Sequence, residues 1–160
     1  MIRLLTWALA IGGVLLYGYL TSADRDESGE IVKGGDSSVF DLQIGDCIGA
    51  NLDNGEMSEI GVVPCDDPHQ YEIFAITKSS LDTYPGKEAL GEDATSKCLS
   101  FFNDYFQINF EESQLYLTHF TPTEDSWNQM DDREITCLAF RMDGETMVGR
   151  VRNYWWRLVS

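Results

Sequence analysis

The chain has 160 residues, a formal charge of −16, a pI near 4.2 and four cysteines. Its 27 acids stand against 11 bases, and every acid follows Ala23. This balance excludes nucleic-acid binding and general adhesion to anionic lipid, both of which need clustered cations. It fits a soluble, self-repelling domain or a high-salt habitat.

The first element is an uncharged run from Leu4 to Leu20. As a helix it reaches roughly 25 Å, the short end of what spans a bilayer. Arg3 precedes it, acids follow it, and Tyr17 and Tyr19 suit the outer interface. The expected orientation has the N-terminus in the cytoplasm and the remainder outside. Residues 1–20 therefore read as a single transmembrane anchor, or as a signal peptide cleaved near Thr21-Ser22-Ala23. Residues 21–38 are polar, with three glycines and five acids, and read as a flexible acidic stalk. Residues 39–160 are expected to form one extracytoplasmic domain. The implied location is the cell membrane, single-pass, with an extracellular C-terminal domain.

Within that domain, Phe40 to Ile44 alternates apolar and polar residues as a half-buried strand does, and Gly45-Asp46 closes it. Asp53-Asn54-Gly55 supplies hairpin-turn chemistry before a second short apolar run, Ile60 to Pro64. Tyr71 to Thr77 is a third. After Pro85, a helix opener, the residues Leu90, Ala94, Cys98, Phe101, Phe102 and Tyr105 recur at helical spacing and make one apolar face. Leu115 to Phe120 and Glu134 to Met142 read as strands. Pro122 and Trp127 bracket a loop between them, and Asp143-Gly144 turns into a last strand, Thr146 to Arg152. The expected fold class is α+β: an antiparallel sheet of about six strands with one main helix on one face, preceded by the membrane helix.

Four cysteines allow three pairings. Cys47 and Cys65 flank the first hairpin, and Cys98 lies on the inward face of the helix. This favours Cys47–Cys65 and Cys98–Cys137, an even set for an oxidising compartment. Cys65 and His69 are four apart, but no Cys-x-x-Cys is present and the other sulfurs are distant in sequence. Neither a metal nor a cofactor is expected.

The ordered residues Gly45-Asp46-Cys47, Val62-Val63-Pro64-Cys65, Pro68-His69 and Glu72-Ile73-Phe74 open a recognisable series. Tyr84-Pro85-Gly86, Ala94, Cys98, Pro122, Trp127, Asp132-Arg133 and Cys137 continue it. The series resembles the septum formation domain family of actinobacterial membrane proteins, over most of Leu42 to Leu138. Asp131 departs from the pattern, since a glycine commonly precedes the Asp-Arg pair. The resemblance implies a membrane-tethered domain outside the cytoplasm with a part in septum formation. It implies no particular reaction.

The site candidates follow from these residues. His69 is expected to hydrogen-bond its ring to nearby backbone, and Asp132 and Arg133 to form a local ion pair after Trp127. Pro122, Trp127, Asp132, Arg133 and His69 together make the candidate binding motif. Arg150, Arg152, Trp155, Trp156 and Arg157 form a cationic, indole-rich candidate interface, or else belong to a closing strand with two buried indoles. No catalytic motif is found, and adjacent acids do not by themselves make a catalytic pair. The expected function is a non-enzymatic binding or scaffolding module in septum formation or envelope organisation. Its partners would be the membrane and envelope or division proteins. An accessory subunit of a larger membrane complex and an acid-residue cell-wall hydrolase are the alternatives.

Overall fold

In a computed structural model of the chain, the described residues are 21–49, 52 and 58–153. The expected membrane segment, the Asp53-Asn54-Gly55 turn, and Trp155, Trp156 and Arg157 lie outside them. Among the described residues no helix is long and apolar enough to cross a membrane.

The fold is α+β. Strands β3 (Gly35–Ser38), β4 (Cys47–Ile48), β5 (Glu59–Val63), β6 (Tyr71–Lys78), β7 (Leu115–Phe120) and β8 (Glu134–Arg141) form one sheet in the order β3-β5-β4-β6-β8-β7. Every pairing in it is antiparallel. The helix α1 (Lys87–Phe106) crosses one face. Leu90, Ala94, Cys98, Phe102 and Phe106 are its buried residues, a strict four-residue spacing. Phe101 points outward at 40% exposure, whereas the sequence pattern put it on the inner face. Phe74 of β6 meets the rings of Phe102 and Phe106 at 5.7 and 5.4 Å. Offset and edge-on rings at such distances are the favoured aromatic geometry. Cys98 is bonded to Cys137 of β8, tying the helix to the sheet inside this core.

A bulge in β6 between Ile73 and Ala75 explains its four consecutive buried residues, Glu72 to Ala75. The extra residue lets Phe74 and Ala75 both join the helix-side core, while Ile73 joins the opposite one.

The opposite face is covered by the segment read as a stalk. Residues 24–38 carry a hairpin, β1 (Asp24–Arg25) with β2 (Ile31–Lys33), and the edge strand β3. Ile31 and Leu42 are buried with Ile48, Ile60, Val62, Ile73 and Leu138, and Ala23 and Val39 pack against them. Composition misjudged this stretch because a few well-placed apolar residues suffice when the sheet supplies the rest of the core. Arg25 adds a forked ion pair to the buried Asp46, at 2.7 and 2.6 Å.

Three further expectations change. Phe40 to Ile44 is not a strand: Val39–Asp41 is a 3-10 turn capped by Ser38, and Phe40 and Ile44 are exposed around a buried Leu42. The run after Asp143-Gly144 makes only a single bridge, Met147 with His69, before a 3-10 turn at Val151–Asn153. Gly149, at φ 80°, breaks the extended path, and the Val151 N–H goes to a carboxylate rather than to a strand. The loop from Pro122 to Trp127 contains a helix, α2 (Glu124–Met130), started by a reciprocal cap between Thr123 and Ser126.

The Arg25–Asp46 pair tests whether the 21–38 segment belongs to the domain. Arg25→Ala strands a buried carboxylate, so it is expected to lower the unfolding free energy by about 1–3 kcal/mol in urea denaturation. A stalk residue would change it by nothing measurable.

Candidate functional site

Two places concentrate polar chemistry. The first lies at the turn Gly45-Asp46-Cys47. Gly45 stands at φ 95°, which favours glycine, and a Cβ there would displace the Arg150 guanidinium. That close approach lets Arg150 donate to Gly45 O at 2.7 Å, while its other nitrogen pairs with Glu30 at 2.8 Å. Asp46 accepts from Arg25 and from the Gln43 N–H. Cys47 is bonded to Cys65, with their Cα atoms 5.3 Å apart. Each residue of the tripeptide thus has its own task.

Across the β4–β6 pairing, Cys47 stands directly opposite Glu72. Glu72 is fully buried. It accepts from the Tyr105 hydroxyl at 2.8 Å and from the Val151 N–H at 2.6 Å. Burial holds its carboxyl above the ordinary carboxylate range, against the opposing effect of these donors and of Arg150 and Arg152. Tyr105 is pushed well above the usual phenol range, first by burial and then by the Glu72 charge. The Arg152 guanidinium lies over the Tyr105 ring, 5.4 Å from its centroid.

His69 enters the same cluster through its bridge to Met147, N–H to Met147 O at 3.0 Å and back at 2.8 Å. Its Nδ1 donates to Asp67 O at 2.9 Å, leaving the lone pair of the neutral ring on Nε2. Nε2 is buried and meets no hydrogen-bonding group among the described residues. Burial holds His69 below its ordinary value. Cys47 Sγ, a ring nitrogen of His69 and a Glu72 oxygen all lie within 4.8 Å of one another.

The second place is an open cleft of about 700 Å³ at the far end of β7 and β8. Phe40, Tyr84, Phe120 and Pro122 give it apolar surface; Lys87, His119, Glu124, Asp132 and Glu134 give it polar surface. Trp127 is sealed beneath, 2% exposed, with Arg133 3.8 Å over its ring and Tyr84 edge-on at 5.8 Å. The Asp132–Arg133 ion pair expected from sequence is not what forms. Arg133 pairs with the Asp131 carboxylate at 3.0 Å and donates to the backbone carbonyls of Trp127 and Asp132. The Asp132 carboxylate instead accepts from Ser126 Oγ and the Glu134 N–H. Asp131 occupies a left-handed conformation, φ 54°, at the end of α2. That geometry favours glycine and turns the Asp131 side chain toward Arg133. His119 Nε2 meets Thr95 Oγ1 at 3.3 Å, and burial lowers its pKa. Burial, and then Asp132, raises that of Glu134.

The candidate residues therefore divide. Pro122 and Asp132 line the cleft; Trp127 and Arg133 stack on each other outside its lining; His69 sits in the other cluster. Arg150 is engaged internally, and Arg152 is exposed. Sequence reasoning missed Glu72, Tyr105 and Arg25. The Glu72-Ile73-Phe74-Ala75 run, with an acid beside three apolar residues, was the available signal for the first of them.

Residues 22–148 match a family described as Septum formation. No curated protein and no solved structure matches the chain significantly.

Two outcomes follow from this geometry. Asp131→Gly removes the left-handed strain and one exposed ion pair, so it is expected to stabilise the domain by about 1 kcal/mol in urea denaturation. Glu72 concerns pH. Its folded pKa lies above its unfolded value, so the stability it contributes is fully present below the unfolded pKa of about 4.3 and is lost as pH rises through the folded pKa. The stability of the native protein relative to Glu72→Gln is expected to fall over the range in which pH rises above about 4.3 through the folded pKa. A difference that stays constant over that range would contradict the assignment.

Proposed function

The chain belongs to the septum formation family, and on that premise we propose that it is an extracytoplasmic binding module. Residues 4–20 tether it to the cell membrane, and it takes part in septum formation or envelope organisation. The observation that carries the reading is the closure of all four cysteines in two disulfides. Both are built into the core of a small domain, a pattern that belongs to oxidising compartments. The charge of −16 keeps such a domain soluble and away from nucleic acid. The cleft beside Pro122 is the surface on which an envelope or division protein docks: concave, part apolar, with polar groups at its rim. The family is not a known enzyme family.

One observation favours a second reading, a wall-polymer hydrolase. Glu134 retains its proton above the ordinary range beside Asp132 in an open cleft. The binding reading is preferred because Asp132 already serves the turn, accepting from Ser126 and from the Glu134 backbone.

The test is made in the native host. Thiol alkylation without reductant is expected to label none of the four cysteines, and protease added to wall-stripped cells is expected to remove the domain while a cytoplasmic marker survives. Four alkylated cysteines, or a protected domain, would overturn the proposal. Turnover of purified wall polymers that disappears in Glu134→Gln would decide for the hydrolase.

A further inference from the structure

We propose that Cys47, Cys65, His69 and Glu72 form a latent site for one Zn²⁺-class cation, opened when the Cys47–Cys65 disulfide is reduced. Disulfide and metal are mutually exclusive occupants of the same locus.

Strand register sets Cys47 opposite Glu72, the disulfide brings Cys65, and the bridge to Met147 brings His69. The sulfur of Cys47, the imidazole nitrogen and the carboxylate oxygen are within 4.8 Å of one another. Four ligands around zinc stand about 3.3–3.8 Å apart, as bond lengths of about 2.0–2.3 Å require. A shift of about an ångström brings Cys47, His69 and Glu72 to that spacing, and Cys65, bonded to Cys47 but outside the trio, swings in once the S–S bond opens.

The second observation is independent of proximity. His69 is fully buried, its Nδ1–H is committed to a backbone carbonyl, and its Nε2 lone pair has no hydrogen-bonding partner among the described residues. A buried acceptor left bare is costly, and a cation would satisfy it. A ring held by a carbonyl on one nitrogen and free on the other is also how ligating histidines are oriented. Glu72 is oriented in the same manner, by the Tyr105 hydroxyl and the Val151 N–H. Two thiolates and one carboxylate around a divalent ion leave one net negative charge. Arg150 and Arg152, whose charges act on Glu72, offset it. A donor set of two thiolates, one imidazole and one carboxylate selects zinc over calcium or magnesium.

The chemistry balances. A dithiol reductant supplies two electrons and two protons to the Cys47–Cys65 bond and becomes a disulfide itself. The cation then displaces the two thiol protons to water, and the sulfur lone pairs form two metal–sulfur bonds. The inference is independent of the docking cleft and of the compartment reading.

The experiment uses the full chain, reduced until mass spectrometry counts two alkylatable thiols. The Cys98–Cys137 pair, fully buried on both sides, is expected to stay closed. The two-thiol form is expected to take up one Co²⁺ or Zn²⁺ per chain, with a thiolate-to-cobalt absorption band, and the oxidised form none. His69→Gln is expected to weaken uptake at least about tenfold. X-ray absorption of the zinc-loaded chain is expected to give two sulfurs at about 2.3 Å and two nitrogen or oxygen neighbours at about 2.0–2.2 Å. No uptake, equal uptake by the oxidised chain, undiminished uptake by a folded His69→Gln chain, or a four-sulfur shell would overturn the proposal. Should His69→Gln fail to fold, the absorption shell of the native chain decides alone.

Discussion

The turn Gly45-Asp46-Cys47 is the point to which four separate segments are fastened. Its carbonyl at Gly45 takes Arg150 from the C-terminal run, its carboxylate at Asp46 takes Arg25 from the N-terminal hairpin, and its sulfur takes Cys65. Its backbone holds β6 as well, Gly45 N–H to Ile73 O at 2.7 Å and Ile73 N–H to Asp46 O at 2.9 Å. These bonds gain strength because the turn is removed from water: Asp46 is 5% exposed and Cys47 fully buried. The same burial makes the turn vulnerable, since any one missing partner leaves a polar group uncompensated.

The helix-side core rests on a different principle. There the stripe from Leu90 to Phe106 and the rings of Phe74, Phe102 and Phe106 bury apolar surface without needing any single polar contact. Burying one such large side chain contributes about 1.5–3 kcal/mol, and the contributions are spread over many residues. The Cys98–Cys137 bond lies inside this core and restricts the unfolded chain further. Both faces of the sheet thus gain from apolar burial, and the turn adds a few polar fastenings to it. Glu72 of β6 fastens the helix and the C-terminal run to the sheet on the helix side, through Tyr105 and the Val151 N–H.

How much could be read beforehand depended on how local each signal was. The helix, β7 and β8 carry their own periodicity, and their ranges differ from expectation by only a few residues. The sheet has the expected six strands, but two of them, β3 and β4, replace the two expected at Phe40 to Ile44 and at Thr146 to Arg152. Gly35 to Ser38 has almost no apolar content and becomes a strand because β5 offers it a ladder. Phe40 to Ile44 has good alternation and becomes a turn, since only Leu42 finds a buried place. The α2 helix was announced by Thr123 three residues before Ser126, a weak signal in which serine stands where a longer acceptor is usual.

By itself the sequence determined the class of fold, the inward position of Cys98, the acidic surface and the family. Each depends on spacing or composition along the chain, which folding does not alter. Only the tertiary structure decided that residues 24–38 belong to the domain and that Arg133 answers Asp131 rather than Asp132. It alone assembled Glu72, His69 and Cys47 into one buried cluster. These are contacts between groups far apart in the chain, or set by one backbone angle. Their existence depends on which partner a polar group finds once water has been excluded, and no local pattern encodes that choice.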